Sequence, residues 1–150
     1  MNINGKPYRT IWPGDDGWSV NIIDQTKLPH DFEIETLRTL DDAARAIETM
    51  QVRGAPLIGA TAAYGVCLGL RGDASDAALD RACERLAATR PTAINLRWAL
   101  DEMQKALRNQ PHDQRPYAAA PWARAVRACS SRKITNSSAV GALVSATLAA

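Results

Sequence analysis

Hydrophobic and polar positions fall into two regimes along the chain. Between residues 8 and 38 the apolar side chains come in short β-branched and aromatic runs; from residue 39 to about 108 they recur every three or four positions. Tyr8 to Trp12 and Trp18 to Ile23 flank Pro13-Gly14-Asp15-Asp16-Gly17, whose Gly and Asp residues supply turn conformations, so the pattern predicts a hairpin with a five-residue loop. After the break at Leu28-Pro29, Phe32 to Arg38 opens with apolar and charged residues in alternation, as in a strand with one wetted face. A small three-stranded sheet is expected.

Four helices are expected next. Thr39 can cap the first, which carries Leu40, Ala43, Ala44, Ile47 and Met50 on one stripe and Asp41 and Asp42 at the positive end of its dipole, and which should end near 51–53. Pro56 suits the first turn of a second helix, Leu57 to about Leu68, apolar almost all round and small-sided, hence buried and closely packed. Ser75 begins a third, with Leu79, Ala82, Cys83 and Leu86 inward, and Arg90-Pro91 breaks it. Thr92 can cap the fourth, whose core face is Leu96, Leu100, Met103 and Leu107 and which stops at Asn109-Gln110-Pro111. The fold class is therefore α+β: a β part at 1–38 and a helical bundle at 39–112.

Composition adds one boundary. Through Asp113 there are thirteen Lys and Arg against sixteen Asp and Glu; from Gln114 onward there are five basic residues and no acidic one. Residues 113–150 also lose the helical period, so they are expected to be an aberrant or poorly ordered basic tail, such as an out-of-frame continuation would give. Its basic charge suggests nucleic acid, but beyond Trp122 it has no interleaved aromatics and no Lys or Arg stripe, and no nucleic-acid partner is expected. No run reaches the roughly 18 apolar residues a bilayer requires, and the start MNINGKPYRT lacks the apolar core of a signal peptide, so a cytoplasmic protein without a membrane partner is expected. Cys67, Cys83 and Cys129 lack CxxC spacing and have only His30 and His112 beside them, so neither metal nor disulfide is indicated.

Candidate chemistry lies at two helix entrances. In Met50-Gln51-Val52-Arg53-Gly54-Ala55-Pro56-Leu57-Ile58-Gly59 an arginine and a glycine precede a Pro-initiated helix, so unpaired N–H groups, the positive dipole end and a guanidinium can converge, as a phosphate requires, with Leu57 and Ile58 fixing the loop from behind. Arg90-Pro91-Thr92-Ala93-Ile94-Asn95-Leu96 repeats the arrangement, and two such arginines could meet on one dianion. On spacing alone the plainer reading carries more weight: a helix connection with Gly54 as a C-cap, Thr92 as an N-cap, and both arginines solvated. Neither histidine has a catalytic partner at motif spacing, Cys67 and Cys83 read as core fillers, Asp15-Asp16 reads as turn chemistry, and no nucleotide-phosphate loop is present.

IIDQTKLP at 22–29, MQVRGAPLIGATAAYG at 50–65 and RPTAINLRWAL at 90–100 resemble, in order, the N-terminal part of the methylthioribose-1-phosphate isomerases, over about the first 110 residues. The superfamily includes regulatory subunits of the translation-initiation guanine-nucleotide exchange factor. The resemblance implies a sheet-and-helix N-terminal domain leading into a larger Rossmann-like α/β domain that these residues do not include, a homodimer, and no metal or nucleotide cofactor. It implies aldose-ketose isomerisation in methionine salvage, 5-methylthioribose 1-phosphate to 5-methylthioribulose 1-phosphate. It assigns substrate-phosphate contacts to Arg53, Gly54, Ala55 and Arg90. The family's catalytic cysteine and aspartate fall in motifs past residue 150, and Cys129, in Ala-Cys-Ser-Ser, does not match their context; no catalytic residue is expected here and the chain is expected to be inactive alone. Ribose-1,5-bisphosphate isomerase and a non-catalytic regulatory subunit are the alternatives.

Overall fold

A computed structural model of the chain describes residues 2, 3 and 5–119. Two short strands, β1 (Asn2–Ile3) and β2 (Lys6–Pro7), pair around Gly5 as an antiparallel ribbon that the hydrophobic pattern did not announce. The expected meander follows: β3 (Ile11–Pro13), β4 (Val20–Ile23) and β5 (Ile34–Leu37) are antiparallel in that spatial order. Ile11 lies opposite Ile22 and Val20 opposite Leu37, so one face of the sheet carries four buried aliphatic side chains into the core. β3 starts three residues later than expected because Tyr8 packs instead on Phe32, with ring centroids 4.9 Å apart. The Asp15-Asp16 turn behaves as turn chemistry predicts: the Asp16 carboxylate accepts from the Trp18 and Ser19 amides and the Ser19 hydroxyl, which hold it below its ordinary value.

Helix α1 (Leu40–Glu48) starts with a full capping box, Thr39 Oγ1 accepting from the Asp42 amide while Asp42 accepts from Thr39. It ends before the expected 51–53. The chain turns through Met50, a non-glycine residue at φ 62°, which leaves that side chain 44% exposed rather than on the stripe. Helix α2 (Ala55–Gly69) is the axis of the molecule: every residue from Leu57 to Leu68 is buried. Its all-round apolar surface is met by α1, by α3 (Asp76–Ala87), by α4 (Ile94–Arg108) and by β3.

Ser75 caps α3 as expected. Thr92 does not cap α4. The Ala93 amide turns back to the Arg90 carbonyl, so the helix starts one residue later, with Ala93 at the N-cap and no side-chain cap. Of the segment set apart by charge and period, residues 115–119 are helical, with Arg115 2% exposed and Ala118 and Ala119 packed on the bundle. Residues 120–150, with Cys129 and most of the expected tail, lie outside the described residues. No helix of the described residues is long and apolar enough to cross a membrane.

Candidate functional site

Two helix starts open on one cleft. Its volume is about 470 Å³ and its wall is built by Gly54, Ala55 and Ile58 from the start of α2 and by Arg90, Thr92, Ala93, Ile94 and Asn95 from the start of α4. That is the size range of small-molecule sites. The two starts are held close by Gly59, one turn into α2: a Cβ there would stand 3.1 Å from the Asn95 carbonyl oxygen, so a larger residue would push α4 away.

Both starts are chemically bare. Gly54, the N-cap of α2, and Ala93, the N-cap of α4, make no side-chain cap bond, and neither helix has an acidic residue in its first turn. The other two helices are the reverse, capped by Thr39 and Ser75 with Asp in the first turn. Ile58 and Arg97 make the first amide bonds back to Gly54 and Ala93. The amides of Ala55, Leu57, Ile94, Asn95 and Leu96 therefore have no intrahelical acceptor, and two positive dipole ends share one opening. Pro56 supplies no N–H. Gly54 stands at φ 87° with open space beside its α-carbon, a conformation that keeps a ligand-side backbone uncovered.

The side chains add one free cation. Arg90 is half-buried in the cleft wall, and among the described residues its guanidinium has no hydrogen bond or ion pair. Arg53, expected beside it, does not line the cleft: it is exposed, and its Nε donates to the Met50 carbonyl at 3.3 Å. Its amide is tied at 3.0 Å to Oε1 of Gln25. The structure thus brings Gly54, Ala55 and Arg90 together and leaves Arg53 one residue outside. Ile58, Ile94 and Asn95 fall inside the two segments marked from the sequence, but none of them was assigned a contact with the ligand. Their helical spacing showed only core or surface, and the start of α4 one residue beyond Thr92 is what puts Ile94 on the rim, 81% exposed.

The remaining candidate chemistry is structural. Cys83 borders a smaller cleft of about 180 Å³ between α3 and α4, where burial first and the nearby Asp80 carboxylate second push its thiol up to about 12. It stays a thiol at neutral pH and fills core, as does Cys67, whose Sγ lies 3.2 Å from the Ala63 carbonyl.

Comparison with known proteins places this geometry. No protein-family model matches the chain. It is 60% identical over 129 residues to the methylthioribose-1-phosphate isomerase of Paramagnetospirillum magneticum, an overlap covering 86% of this chain and 35% of the relative. The crystal structure of 5-methylthioribose 1-phosphate isomerase from Pyrococcus horikoshii OT3 (Form II) superposes with a TM-score of 0.72 at 35% identity, over 81% of this chain and 36% of that one. The translation initiation factor eIF-2B, subunit delta, from A. fulgidus superposes with a TM-score of 0.71 at 32% identity, over 80% and 36%. The chain spans about a third of the length of the curated isomerases it matches.

Proposed function

The chain belongs to the methylthioribose-1-phosphate isomerase family, and from that premise we propose that its α2–α4 cleft holds the phosphate of 5-methylthioribose 1-phosphate. The observation that carries the reading is the pairing of two uncapped, acid-free helix starts with Arg90, which has no partner among the described residues, on one opening. Amides and guanidinium together offer one phosphate several donors, at a site where both dipoles favour negative charge. Gly54 and Ala55 contribute backbone, Arg90 a forked contact, and Arg53 swings from its single exposed bond to close over the bound anion.

Substrate choice follows from the rim. Ile58 and Ile94 give the cleft an apolar side suited to a methylthio arm and unsuited to the second phosphate of a ribose 1,5-bisphosphate. Isomerisation moves a proton between carbons 1 and 2 of the sugar, which requires an acid-base pair beside the bound ester. Among the described residues the cleft wall holds no carboxylate, histidine or cysteine, so on this reading it supplies binding rather than proton transfer. The protein acts in methionine salvage in the cytoplasm, as part of a dimeric enzyme without metal or nucleotide cofactor.

The likeness to the translation-factor subunit supports a second reading, in which the same cleft binds a phosphorylated small molecule without chemistry. Calorimetric titration with 5-methylthioribose 1-phosphate and with inorganic phosphate tests both. Under the first reading the methylthio sugar binds more tightly than phosphate, and Arg90→Ala weakens both by at least about tenfold, the scale of one lost charge-assisted bond. Equal affinity for the two ligands favours the second reading; binding indifferent to Arg90→Ala removes the site altogether.

A further inference from the structure

The chain leaving β4 holds the loop that launches α2. Asp24, directly after β4, is only 5% exposed. Its Oδ1 accepts from the Thr26 amide at 2.8 Å and the Thr26 hydroxyl at 2.6 Å, and its Oδ2 accepts from Gln51 Nε2 at 3.1 Å. Gln25 adds two bonds in the same direction. Its amide donates to the Gln51 carbonyl at 2.9 Å, and its side-chain Oε1 accepts from the Arg53 amide at 3.0 Å. Residues 51 and 53 are therefore bolted to the sheet from both backbone and side chain, immediately ahead of Gly54.

That arrangement is costly for a merely packed loop. Burial works to raise the Asp24 carboxyl; the bonds from Thr26 and Gln51 outweigh it and hold the group below its ordinary value, so the carboxylate stays charged in a nearly dry place. A buried charge satisfied by neutral donors contributes little net stability compared with an apolar side chain, but it fixes direction. Neither Asp24 nor Gln25 lines the cleft, so neither touches what binds there. Gln51 Oε1 is buried without a hydrogen-bond partner, so the amide can turn over and still pair with a changed partner at position 24.

We propose that Asp24 and Gln25 are positioning residues for the anion site: they clamp the 51–53 loop so that Gly54 and the first amides of α2 face the Arg90 side of the cleft. This rests on the cleft being the phosphate site. Misplacing donors by about an ångström is enough to lose one to two orders of magnitude in a preorganised site, so the clamp is read in affinity.

The test uses the whole 150-residue chain, with hydrogen exchange of the amides from 51 to 57 measured without ligand and inorganic phosphate titrated calorimetrically. Asp24→Ala should speed loop exchange and weaken phosphate about tenfold, whereas Asp24→Asn, paired with the turned-over Gln51 amide, should stay within about threefold of the parent. Gln25→Ala removes an exposed bond without threatening the core and should weaken phosphate by about threefold to tenfold. Unchanged loop exchange in both alanine variants overturns the clamp, as does unchanged phosphate affinity in both. Faster exchange with no phosphate binding even in the parent chain instead refutes the phosphate reading while the clamp itself stands.

Discussion

At the scale of single residues, the two arginines singled out by the same local pattern have different fates. Arg90 lines the cleft with no partner among the described residues, while Arg53 folds back on the Met50 carbonyl. Nothing in the letters Arg-Gly and Arg-Pro separates them. The difference comes from Met50 at φ 62°, a turn that the helical stripe had counted as its fifth position. Arg90→Lys should therefore cost phosphate affinity nearly as much as Arg90→Ala, because a point ammonium cannot fork across two oxygens at this reach; calorimetry with inorganic phosphate reads it. Capping was more legible, since Thr39 and Asp42 sit at the right spacing and make both bonds. Thr39→Ala should cost about 1 kcal/mol in denaturant unfolding. Burial works to raise the Asp42 carboxyl, and bonds from the Arg38 amide, Thr39 and Arg45 overcome it, holding the group below its ordinary 3.8. A lowered folded pKa means that this stability is fully present above the unfolded value and is lost as pH falls through the folded one. Asp42→Asn should thus flatten the fall in thermal midpoint below about pH 4, with little change at pH 7 beyond a constant offset.

At the scale of elements, what the sequence revealed was each helix and its inward face; what it withheld was how two helices meet. Leu96, Leu100, Met103 and Leu107 are buried as their period requires, and so are Leu79, Ala82, Cys83 and Leu86. The meeting of the α2 and α4 starts depends on Gly59 against the Asn95 carbonyl, a long-range contact with no local signature. Thr92 carried the wrong expectation for a related reason. Capping preference favours Thr over Ala, but the turn closed by the Ala93 amide on the Arg90 carbonyl moves the N-cap to Ala93. That leaves a stabilising residue unused at a position with extended backbone, φ −80° and ψ 102°. Ala93→Asp should raise unfolding free energy by about 0.5 to 2 kcal/mol, since it adds both a cap and a favourable dipole contact. The same carboxylate occupies the donors of the cleft and repels an anion, so phosphate binding should vanish. A variant that is more stable and still binds phosphate like its parent would show that the α4 start is not part of the site. On the proposed reading, the missing cap is a trade-off that leaves these donors free for the anion.

At the scale of the whole molecule, the last described turn is part of what holds α3 and α4 together. Charge and a lost helical period set residues 113–150 apart, yet Arg115 is among the most deeply buried side chains of the described residues. Its Nε donates to the Leu107 carbonyl at 2.8 Å and the Gln110 carbonyl at 3.2 Å, and its two terminal nitrogens reach the Ala74 carbonyl at 3.0 Å and the Arg108 carbonyl at 3.3 Å. Asp76, in the first turn of α3, completes the set at 2.7 Å, and the Arg115 hydrogen bond holds that carboxyl below its usual range. One guanidinium thereby satisfies the last carbonyls of α4 and ties them to the start of α3, at the opposite end of α4 from the cleft. Sequence reading missed this because a carbonyl has no letter; the donor is visible and its acceptors are backbone. Arg115→Met fills comparable volume but leaves several buried carbonyls without donors, which should cost about 2 to 4 kcal/mol and lower the thermal midpoint by about 10 °C or more. Arg115→Lys keeps the charge but cannot span carbonyls on both helices, so it should recover less than half of that loss. Both variants leave the α2 and α4 starts in place, so phosphate affinity at 20 °C should hold in whatever fraction remains folded. Loss of affinity out of proportion to loss of fold would mean that the clasp at one end of α4 sets the cleft at the other, which a rigid fifteen-residue helix seated along α2 is built to prevent.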